Sequence, residues 1–296
     1  MGFKEKITGY FLEQPRPAAV FQISPSYFAA LKIEPEGVSS ENYFFEQLPA
    51  GLIEAQLLLP NLKQPEALEE LIDTSVKKIN PQGNGITIIL PEMSSRVFIF
   101  HLENNPMTPA ELVKFIEWRL EHQFSRPLSE IRYSYQTFNN GHEKKVLVVC
   151  TGQEVADEYE ALFSRKKFHP GKLTIPSLSV LNLIMTTDGA ANDFLLVEVD
   201  LDYLSLIAII DGSPYLYRQK QLWPENQTDL ESVLKEAGNT IHFIEDKARK
   251  SLSLAYLRSN PDDLAGLREE IEKSLKVEVV EVMTENKFLA PLIGGQ

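Results

Sequence analysis

Three carboxylates stand at alternating positions in the stretch VEVDLDY, where single residues separate Glu198, Asp200 and Asp202. Alternate side chains of an extended strand point to the same face, so the three are expected to lie side by side. Carboxylate oxygens grouped in this way bind a divalent cation or act as general bases. The alternative is a solvent-facing strand edge, where repeated charge discourages pairing with another strand. The residues alone leave both interpretations open.

Other residue types that do chemistry lack the neighbours they need. The five histidines are spread along the chain without the spacing of metal ligands, so we predict no metal site. The single cysteine, Cys150, lies in the apolar run KKVLVVCTG and is expected to be a buried apolar residue. No Walker loop, nucleophile elbow or dinucleotide-binding glycine pattern occurs in the sequence. We therefore predict no catalytic residue.

The elements that position these side chains are expected to form a mixed α/β protein. Helical spacing of apolar residues and end signals predict helices at residues 65–80, 108–124, 152–168, 229–254 and 261–275. Apolar and β-branched runs predict two strands in 21–33, three in 193–222, and single strands at 85–91, 96–102, 130–138, 144–152, 254–259 and 276–283. Thr108, Pro109 and Glu111 predict a capped helix start. The strand-rich starts near residues 20 and 195 indicate a duplicated architecture.

Composition and charge exclude several functional classes. The net charge is −13 over 296 residues, which argues against general nucleic-acid binding and against whole-surface attraction to anionic lipid. Apolar runs are far shorter than the roughly 20 residues that span a bilayer. The first residues also lack the long apolar core of a signal peptide. We expect a cytoplasmic protein without direct membrane insertion and without a nucleic-acid partner.

Several stretches carry a resemblance to a known family. VFQISPSYFAALKI (20–33) and VEVDLDYLSLIAIIDG (197–212) align without gaps on the family's two phosphate-loop patterns. EQLPAGLIEAQLLLPNLKQPEALEELI (46–72) and LVKFIEWRLEHQFSRPLSEIRYSYQTF (112–138) match its middle region. Over most of its length the chain resembles the PilM family, the actin-like cytoplasmic proteins of type IV pilus assembly, and the related part of type II secretion platforms.

The resemblance implies an α/β fold of the actin-like type, a duplicated ribonuclease H-like architecture. It implies a first actin-like subdomain at residues 1–52 and 140–190 and a small inserted α/β subdomain at 53–139. The second actin-like subdomain is expected at 191–296. Its lid is expected to be reduced, because residues 219–254 leave room for one long helix where the family has several.

Departures from the family pattern fall on the nucleotide-binding positions, which are Gln22, Ser24, Ser26, Glu198, Asp200, Asp202, Ser259 and Asn260. Ser24 and Asp200 replace glycines, and Gln22 replaces an aspartate. Side chains at glycine positions block the approach of backbone N–H groups to phosphate, and added carboxylates repel it. We expect a degenerate nucleotide site, no cofactor and no enzyme activity. The alternative is an actin-like ATPase that still binds ATP and Mg²⁺ through altered loops; a sugar kinase-like transferase would need an intact phosphate site.

The resemblance also implies a partner. In the family, the short cytoplasmic tail of the single-span inner-membrane protein PilN lies in a groove between the first subdomain and the insertion. Arg132, Tyr133, Tyr135 and Phe138 are the candidate contacts here, because aromatic and arginine side chains often anchor interfaces. The alternative is that both tyrosines belong to the core. The acidic chain favours a basic tail.

The expected function is a non-catalytic scaffold of a type IV pilus or type II secretion platform. Such a scaffold is peripheral on the inner membrane through a PilN-like partner, with other platform or motor proteins as further partners.

Overall fold

Strands and helices follow one another in two blocks, each of which starts with an antiparallel hairpin. The structure is a computed structural model that describes residues 16–34, 42–102, 107–124, 126–139, 144–187, 189–222, 230–261, 266–282 and 284–296. The strands are β1 (Ala19–Ile23), β2 (Tyr27–Lys32), β3 (Tyr43–Gln47), β4 (Gly85–Ile89), β5 (Arg96–Leu102), β6 (Ile131–Asn139), β7 (Lys144–Gly152), β8 (His169–Thr174), β9 (Phe194–Val199), β10 (Tyr203–Ile210), β11 (Ser213–Gln221), β12 (Leu254–Ser259) and β13 (Glu278–Glu281). The helices are α1 (Pro65–Ile79), α2 (Pro109–Phe124), α3 (Gln153–Arg165), α4 (Pro176–Met185), α5 (Leu230–Ala248), α6 (Leu267–Leu275) and α7 (Leu289–Gly294).

Two five-stranded sheets have the same internal order. The first sheet runs β3-β2-β1-β4-β8 and the second runs β11-β10-β9-β12-β13. In each sheet the central strand pairs antiparallel with its hairpin partner on one side and parallel with a later strand on the other. The repeated order confirms the predicted duplication.

Helices cover both sheets and also fill the space between them. The outer face of the first sheet packs on α1 and α3, and one face of the second sheet packs on α5 and α6. Helix α4 packs on the opposite face of the second sheet, and α7 contacts α4 and the opposite face of the first sheet. We call the part of the molecule built on the first sheet and the part built on the second sheet its two halves. Helix α7 therefore lies between the two halves and contacts both.

A third sheet, β5-β7-β6, shares no strand with the other two. One of its faces packs against α2, and other residues of the sheet join the core of the first sheet. Helix α2 begins as its sequence predicts. The Thr108 N–H donates to Glu111 Oε2 at 2.8 Å, and the Glu111 N–H donates to Thr108 Oγ1 at 3.3 Å, which confirms the capping box. Strands β6 and β8 are edge strands of their sheets, each paired on one side among the described residues.

The sheets divide the chain differently from the expected subdomain boundaries. Strand β4 falls inside the range expected for the insertion, 53–139, yet it pairs with β1 in the first sheet. Strand β7 falls inside the range expected for the first subdomain, yet it is the central strand of the third sheet. Apolar runs identify the strands, but their assignment to a sheet depends on pairing between distant residues. That the three expected ranges fold as separate units stays a prediction.

Most predicted elements are confirmed, with one clear error. The helix predicted over residues 229–254 ends at Ala248, because Arg249 has a left-handed backbone with φ 53° and residues from Leu254 form β12. The start of this prediction, the turn at 140–143 and the residues at 262–265 lie outside the described ranges. Within those ranges, no helix combines the length and the apolar character needed to cross a membrane.

Candidate functional site

The turns of the β1–β2 and β9–β10 hairpins meet between the two halves of the molecule. The hairpins share a polar pattern, QISPSY at 22–27 and EVDLDY at 198–203. In each, the terminal tyrosine bonds to the first residue. The Gln22 amide donates to the Tyr27 hydroxyl oxygen at 2.7 Å, and the Tyr203 hydroxyl donates to Glu198 Oε1 at 2.8 Å. The duplication therefore extends from the strand order to individual hydrogen bonds.

Ser24 and Asp200, at positions where the resemblance implies glycines, each bind the backbone of their own turn. In the first hairpin the Ser26 N–H donates to Ser24 Oγ at 3.2 Å. In the second the Leu201 N–H donates to Asp200 Oδ1 at 2.8 Å. Backbone N–H groups of such turns are the donors that a phosphate loop offers to its ligand. In each hairpin, a side chain of the same turn accepts a hydrogen bond from one of these N–H groups.

A buried arginine from β12 joins this group. Arg258, only 3% exposed, donates from Nη1 to Glu198 Oε1 at 2.6 Å and to Asp200 Oδ2 at 3.2 Å. Asn260, two residues further along, donates from Nδ2 to Asp200 Oδ1 at 2.9 Å. The Ser259 hydroxyl has no hydrogen-bond partner among the described residues. The guanidinium lies between two carboxylates and supplies the charge partner that buried acids require.

The alternative of a solvent-facing strand edge for the three carboxylates is wrong. Glu198 and Asp200 are fully buried and Asp202 is 7% exposed, because the turn of the second hairpin packs against the first hairpin. Burial raises the pKa of Glu198 from 4.5 to about 8, an effect that Arg258 only partly offsets. Burial also raises the pKa of Asp202 from 3.8 to about 8, with a further contribution from the neighbouring Asp200. Two of the three acids thus hold a proton far more readily than exposed carboxyls do.

A fourth buried acid lies in a short helical turn after β4. Glu92 is fully buried, and its Oε1 accepts from Ser177 Oγ at 2.6 Å, from Ser205 Oγ at 2.8 Å and from the Tyr217 hydroxyl. Burial raises the pKa of Glu92, and these hydrogen bonds partly counteract the rise. Ser205 and Tyr217 belong to the second sheet, so Glu92 is a further contact between the halves.

The residues present do not fit a magnesium-bound nucleotide. Neither hairpin turn contains a glycine. Side chains of the two hairpins bond to one another across the cleft between the halves, Ser24 to Asp202 and Tyr27 to Asp200. The carboxylates that would attract Mg²⁺ already contact Arg258 or a hydroxyl group. Among the described residues no group of three or more His, Cys, Asp or Glu side chains is arranged to hold a metal ion. No reaction step through a nucleotide follows from this arrangement.

The four residues predicted to bind a partner all line one groove of about 680 Å³. Consecutive residues of the two edge strands face it, 132–136 of β6 and 171–174 of β8. Most of the remaining lining comes from three sources, which are the β7 side chains Leu147, Val149, Cys150 and Thr151, the α4 side chains Leu178, Leu181, Asn182 and Met185, and Ile209, Gly212 and Pro214 of the β10–β11 hairpin. The groove therefore includes parts of the third sheet and of both halves.

The two tyrosines differ in environment. Tyr135 is 39% exposed, so its assignment to the core is wrong. Tyr133 is half-buried against α2, and its hydroxyl donates to Glu117 Oε1 at 3.3 Å. Arg132 forms an ion pair with Glu160 at 2.8 Å, which raises the pKa of the guanidinium. Phe138 packs on the core of the first sheet. Tyr135 is thus the predicted aromatic anchor that is most accessible to a partner.

Sequence reasoning missed Arg258 and Glu92. Arg258 interrupts the apolar strand LAYLRS, and a single arginine in such a strand is the signal that a buried acid needs a partner. The matching spacing of QISPSY and EVDLDY was a second available signal. Glu92 carries no comparable signal, because its partners lie at positions 177, 205 and 217.

Comparisons with known proteins identify the fold. No protein-family model and no curated protein matches the chain. Among solved structures, a chain of the PilM-PilN type IV pilus biogenesis complex is 15% identical, with a TM-score of 0.76 over 94% of this chain and 96% of that chain. A Bacteroides thetaiotaomicron protein of unknown function with an actin-like ATPase fold is 12% identical, with a TM-score of 0.59 over 94% and 95%.

The cytoplasmic domain of EpsL, an inner-membrane component of the type II secretion system of Vibrio cholerae, is also similar. It is 9% identical, with a TM-score of 0.55 over 93% of this chain and 92% of that domain. These likenesses confirm the expected α/β fold, and the resemblance on which the expectation rested is confirmed at the level of fold. The chain therefore has the actin-like ATPase fold, in a form similar to the PilM-PilN complex and to cytoplasmic EpsL over nearly its whole length.

Proposed function

We propose that the chain is a non-catalytic scaffold of a type IV pilus or type II secretion inner-membrane platform. In this role it lies on the cytoplasmic side and binds the tail of a PilN-like membrane protein, with other platform or motor proteins as further partners. The fold shared with the PilM-PilN complex and with EpsL supports the platform assignment. The observation that carries the partner assignment is the groove between β6 and β8.

The groove fits an extended segment of polypeptide. Strand β6 pairs only with β7 and strand β8 only with β4 among the described residues, so each has an edge without a strand partner. Because consecutive residues of both strands line the groove, main-chain groups lie along it beside the side chains. A segment that enters such a groove gains affinity from main-chain hydrogen bonds and specificity from alternate side-chain contacts. A short tail of a single-span protein has these properties.

The charges of the groove refine the expectation of a basic tail. The described lining includes the cations Arg132 and Lys172 and no aspartate or glutamate. Lys172 is half-buried, and this burial lowers the pKa of its ammonium group. The apolar lining from Leu178, Leu181 and Met185 suits aliphatic side chains. We therefore expect the part of the tail inside the groove to be apolar, with any Lys or Arg outside it, against the acidic remainder of the chain.

The absence of catalysis is part of the proposal and rests on the hairpin cluster. Glu198, Asp200 and Asp202 are buried and bonded to Arg258, Asn260 and Ser24, so a substrate has no direct access to them in this arrangement. The alternative, an ATPase acting through altered loops, would require these bonds to break and the turns to separate around a nucleotide. The cluster favours the scaffold.

Tyr135→Ala tests the groove directly. A peptide that copies the N-terminal cytoplasmic segment of the PilN-like protein is titrated against the full chain by calorimetry. If Tyr135 anchors the tail, its loss is expected to weaken binding by on the order of 2 kcal/mol, about 30-fold. Trp118→Ala is the matched control, because Trp118 is another exposed aromatic residue, 50% exposed, and lies on α2 outside the groove lining.

Circular dichroism establishes that both variants are folded, which the exposure of both side chains favours. Equal binding by wild type and the Tyr135 variant would remove β6 from the interface. Failure of every PilN-like tail to bind the wild-type chain would refute the partner assignment. A drop in affinity with Trp118→Ala of similar size would place the tail on α2 instead.

A further inference from the structure

Two hydrogen bonds connect the hairpin turns of the first and second sheets. The Ser24 hydroxyl donates to Asp202 Oδ1 at 3.3 Å, and the Tyr27 hydroxyl donates to Asp200 Oδ2 at 2.8 Å. These partners are 178 and 173 residues apart in the chain. All four residues are less than one-tenth exposed, so water competes little for the bonds. The bonds run between the halves at the place where their two turns face each other.

Two more hydrogen bonds connect the halves at Glu92. Ser205 of β10 and Tyr217 of β11 both donate to Glu92 Oε1, which lies just beyond β4 of the first sheet. Gln219 adds bonds from its side-chain amide to the backbone oxygens of Glu92 and Ser95. We call the four bonds donated by Ser24, Tyr27, Ser205 and Tyr217 the cross-sheet bonds.

We propose that the cross-sheet bonds hold the two halves in one fixed, closed arrangement without any bound ligand. Each bond joins a hydroxyl to a buried carboxyl, and breaking it removes a hydrogen bond from a region where water competes little. Opening the cleft would have to expose all four bonds together, because the two sites lie on the same pair of sheets. Side chains of the protein, and no bound ligand, thus join the two halves.

The fixed arrangement has a consequence for the groove, and this part rests on the proposed function. Ile209, Gly212 and Pro214 line the groove from the second sheet, whereas β6 and β8 line it from the other side. The relative position of the halves therefore sets the width of the groove. With the cross-sheet bonds intact, the tail would meet a groove that is already formed.

Distances between spin labels test the proposal in the full chain. One label is placed at Glu70→Cys on α1 and the other at Ser274→Cys on α6, both exposed positions. Cys150 does not interfere, because it is buried and burial raises the pKa of its thiol to about 12. The test variant combines Ser24→Ala, Tyr27→Phe, Ser205→Ala and Tyr217→Phe, which removes the four donors and keeps the apolar packing. We expect one narrow distance distribution in wild type, with or without Mg-ATP, and a broader distribution with a longer mean in the variant.

The matched control combines Tyr43→Phe, Tyr159→Phe, Ser75→Ala and Ser179→Ala. These changes also remove two buried tyrosine and two buried serine hydroxyls, none of which bonds to the other half. The control is expected to keep the narrow distribution. If the fourfold variant does not fold, the pair Ser24→Ala and Tyr27→Phe replaces it, with Tyr43→Phe and Ser75→Ala as its control.

A folded test variant with the wild-type distribution would overturn the proposal, and so would a wild-type distribution that narrows or shifts with Mg-ATP. Tail binding is measured separately on the same proteins. Loss of the narrow distribution with unchanged tail binding would support the fixed arrangement and contradict only its link to the groove. A tail that binds no variant and no wild type would refute the proposed function and leave the distance result standing.

Discussion

At the residue scale, side chains at the positions predicted to bind nucleotide bind one another. Ser24 and Asp200 each accept an N–H of their own turn, and Arg258 supplies the positive charge for the carboxylates beside it. A lone buried acid would be costly, but an acid with a guanidinium and a hydroxyl partner is tolerated. The sequence predicted that Glu198, Asp200 and Asp202 lie together. It could not predict their burial, because that depends on a hairpin more than 170 residues away.

The buried carboxyls predict a specific dependence of stability on pH. Glu198 and Asp202 have pKa values raised to about 8, above their ordinary values of 4.5 and 3.8. The folded state therefore binds more protons than the unfolded state between about pH 4 and 8. The resulting contribution to stability is fully present below pH 4 and is lost as the pH rises through 8. We expect Glu198→Gln with Asp202→Asn to reduce the fall in melting temperature between pH 6 and pH 8.5, because neither amide titrates.

The matched control for this pH experiment is Glu70→Gln with Asp246→Asn, which makes the same charge change at exposed positions on α1 and α5. The control should keep the slope of the wild type. Parallel slopes in the wild type and the buried-site variant would show that these two carboxyls are ionised in the folded protein at neutral pH, contrary to the expectation.

At the element scale, the sequence was informative wherever an element carries its own signals. The capping box at Thr108 and the strands of the two hairpins are as predicted, since local residues determine them. Strand β8 was missed because it is a short edge strand that begins HPG and lacks an alternating pattern. Helices α4 and α7 were missed as well. Helix α7 has only six residues, and it is stabilised by its contacts with α4 and β1 rather than by its own sequence.

The crossing of α4 and α7 depends on one glycine. A Cβ atom on Gly294 would lie 1.8 Å from the Ser179 carbonyl oxygen, so the two helix backbones could not keep their present distance. The Asn182 side chain also donates to the Gly294 carbonyl at 2.8 Å, which ties the helices together there. We expect Gly294→Ala to lower the free energy of unfolding by about 1–3 kcal/mol in denaturant titrations. Faster amide exchange in α7 should accompany the loss.

Gly85→Ala is the control for Gly294→Ala. It also adds one methyl group at a glycine, and no atom lies within 4 Å of the added Cβ. Its stability should stay close to that of the wild type. If Gly294→Ala behaved like Gly85→Ala, the helices would have to separate at no cost, and the close crossing would not be a source of stability.

At the scale of the whole molecule, the duplication explains why the two halves can bind each other through their hairpin turns. Each half presents a hairpin with the same spacing of polar residues, so the two turns meet with polar side chains in facing positions. One half supplies mainly hydroxyl donors, Ser24 and Tyr27, and the other mainly carboxylate acceptors, Asp200 and Asp202. Under the proposed function, a closed cleft of this kind leaves the outer surfaces and the groove for partners.

A nucleotide titration tests this picture for the molecule as a whole. A ligand that binds only the folded state adds about 2.7 kcal/mol at 100 times its Kd, which corresponds to a rise of several degrees in melting temperature for a chain of this size. Because the turn N–H groups and the carboxylates of both hairpins are already engaged within the protein, we expect no rise with millimolar Mg-ATP. An actin-like ATPase with glycine-containing loops, measured in the same buffer, serves as the positive control. A rise that grows with ATP concentration and requires Mg²⁺ would refute the degenerate site and favour the ATPase. A rise that is equally large with ATP in EDTA would indicate a general anion effect, because magnesium coordination by these carboxylates would then contribute nothing to binding.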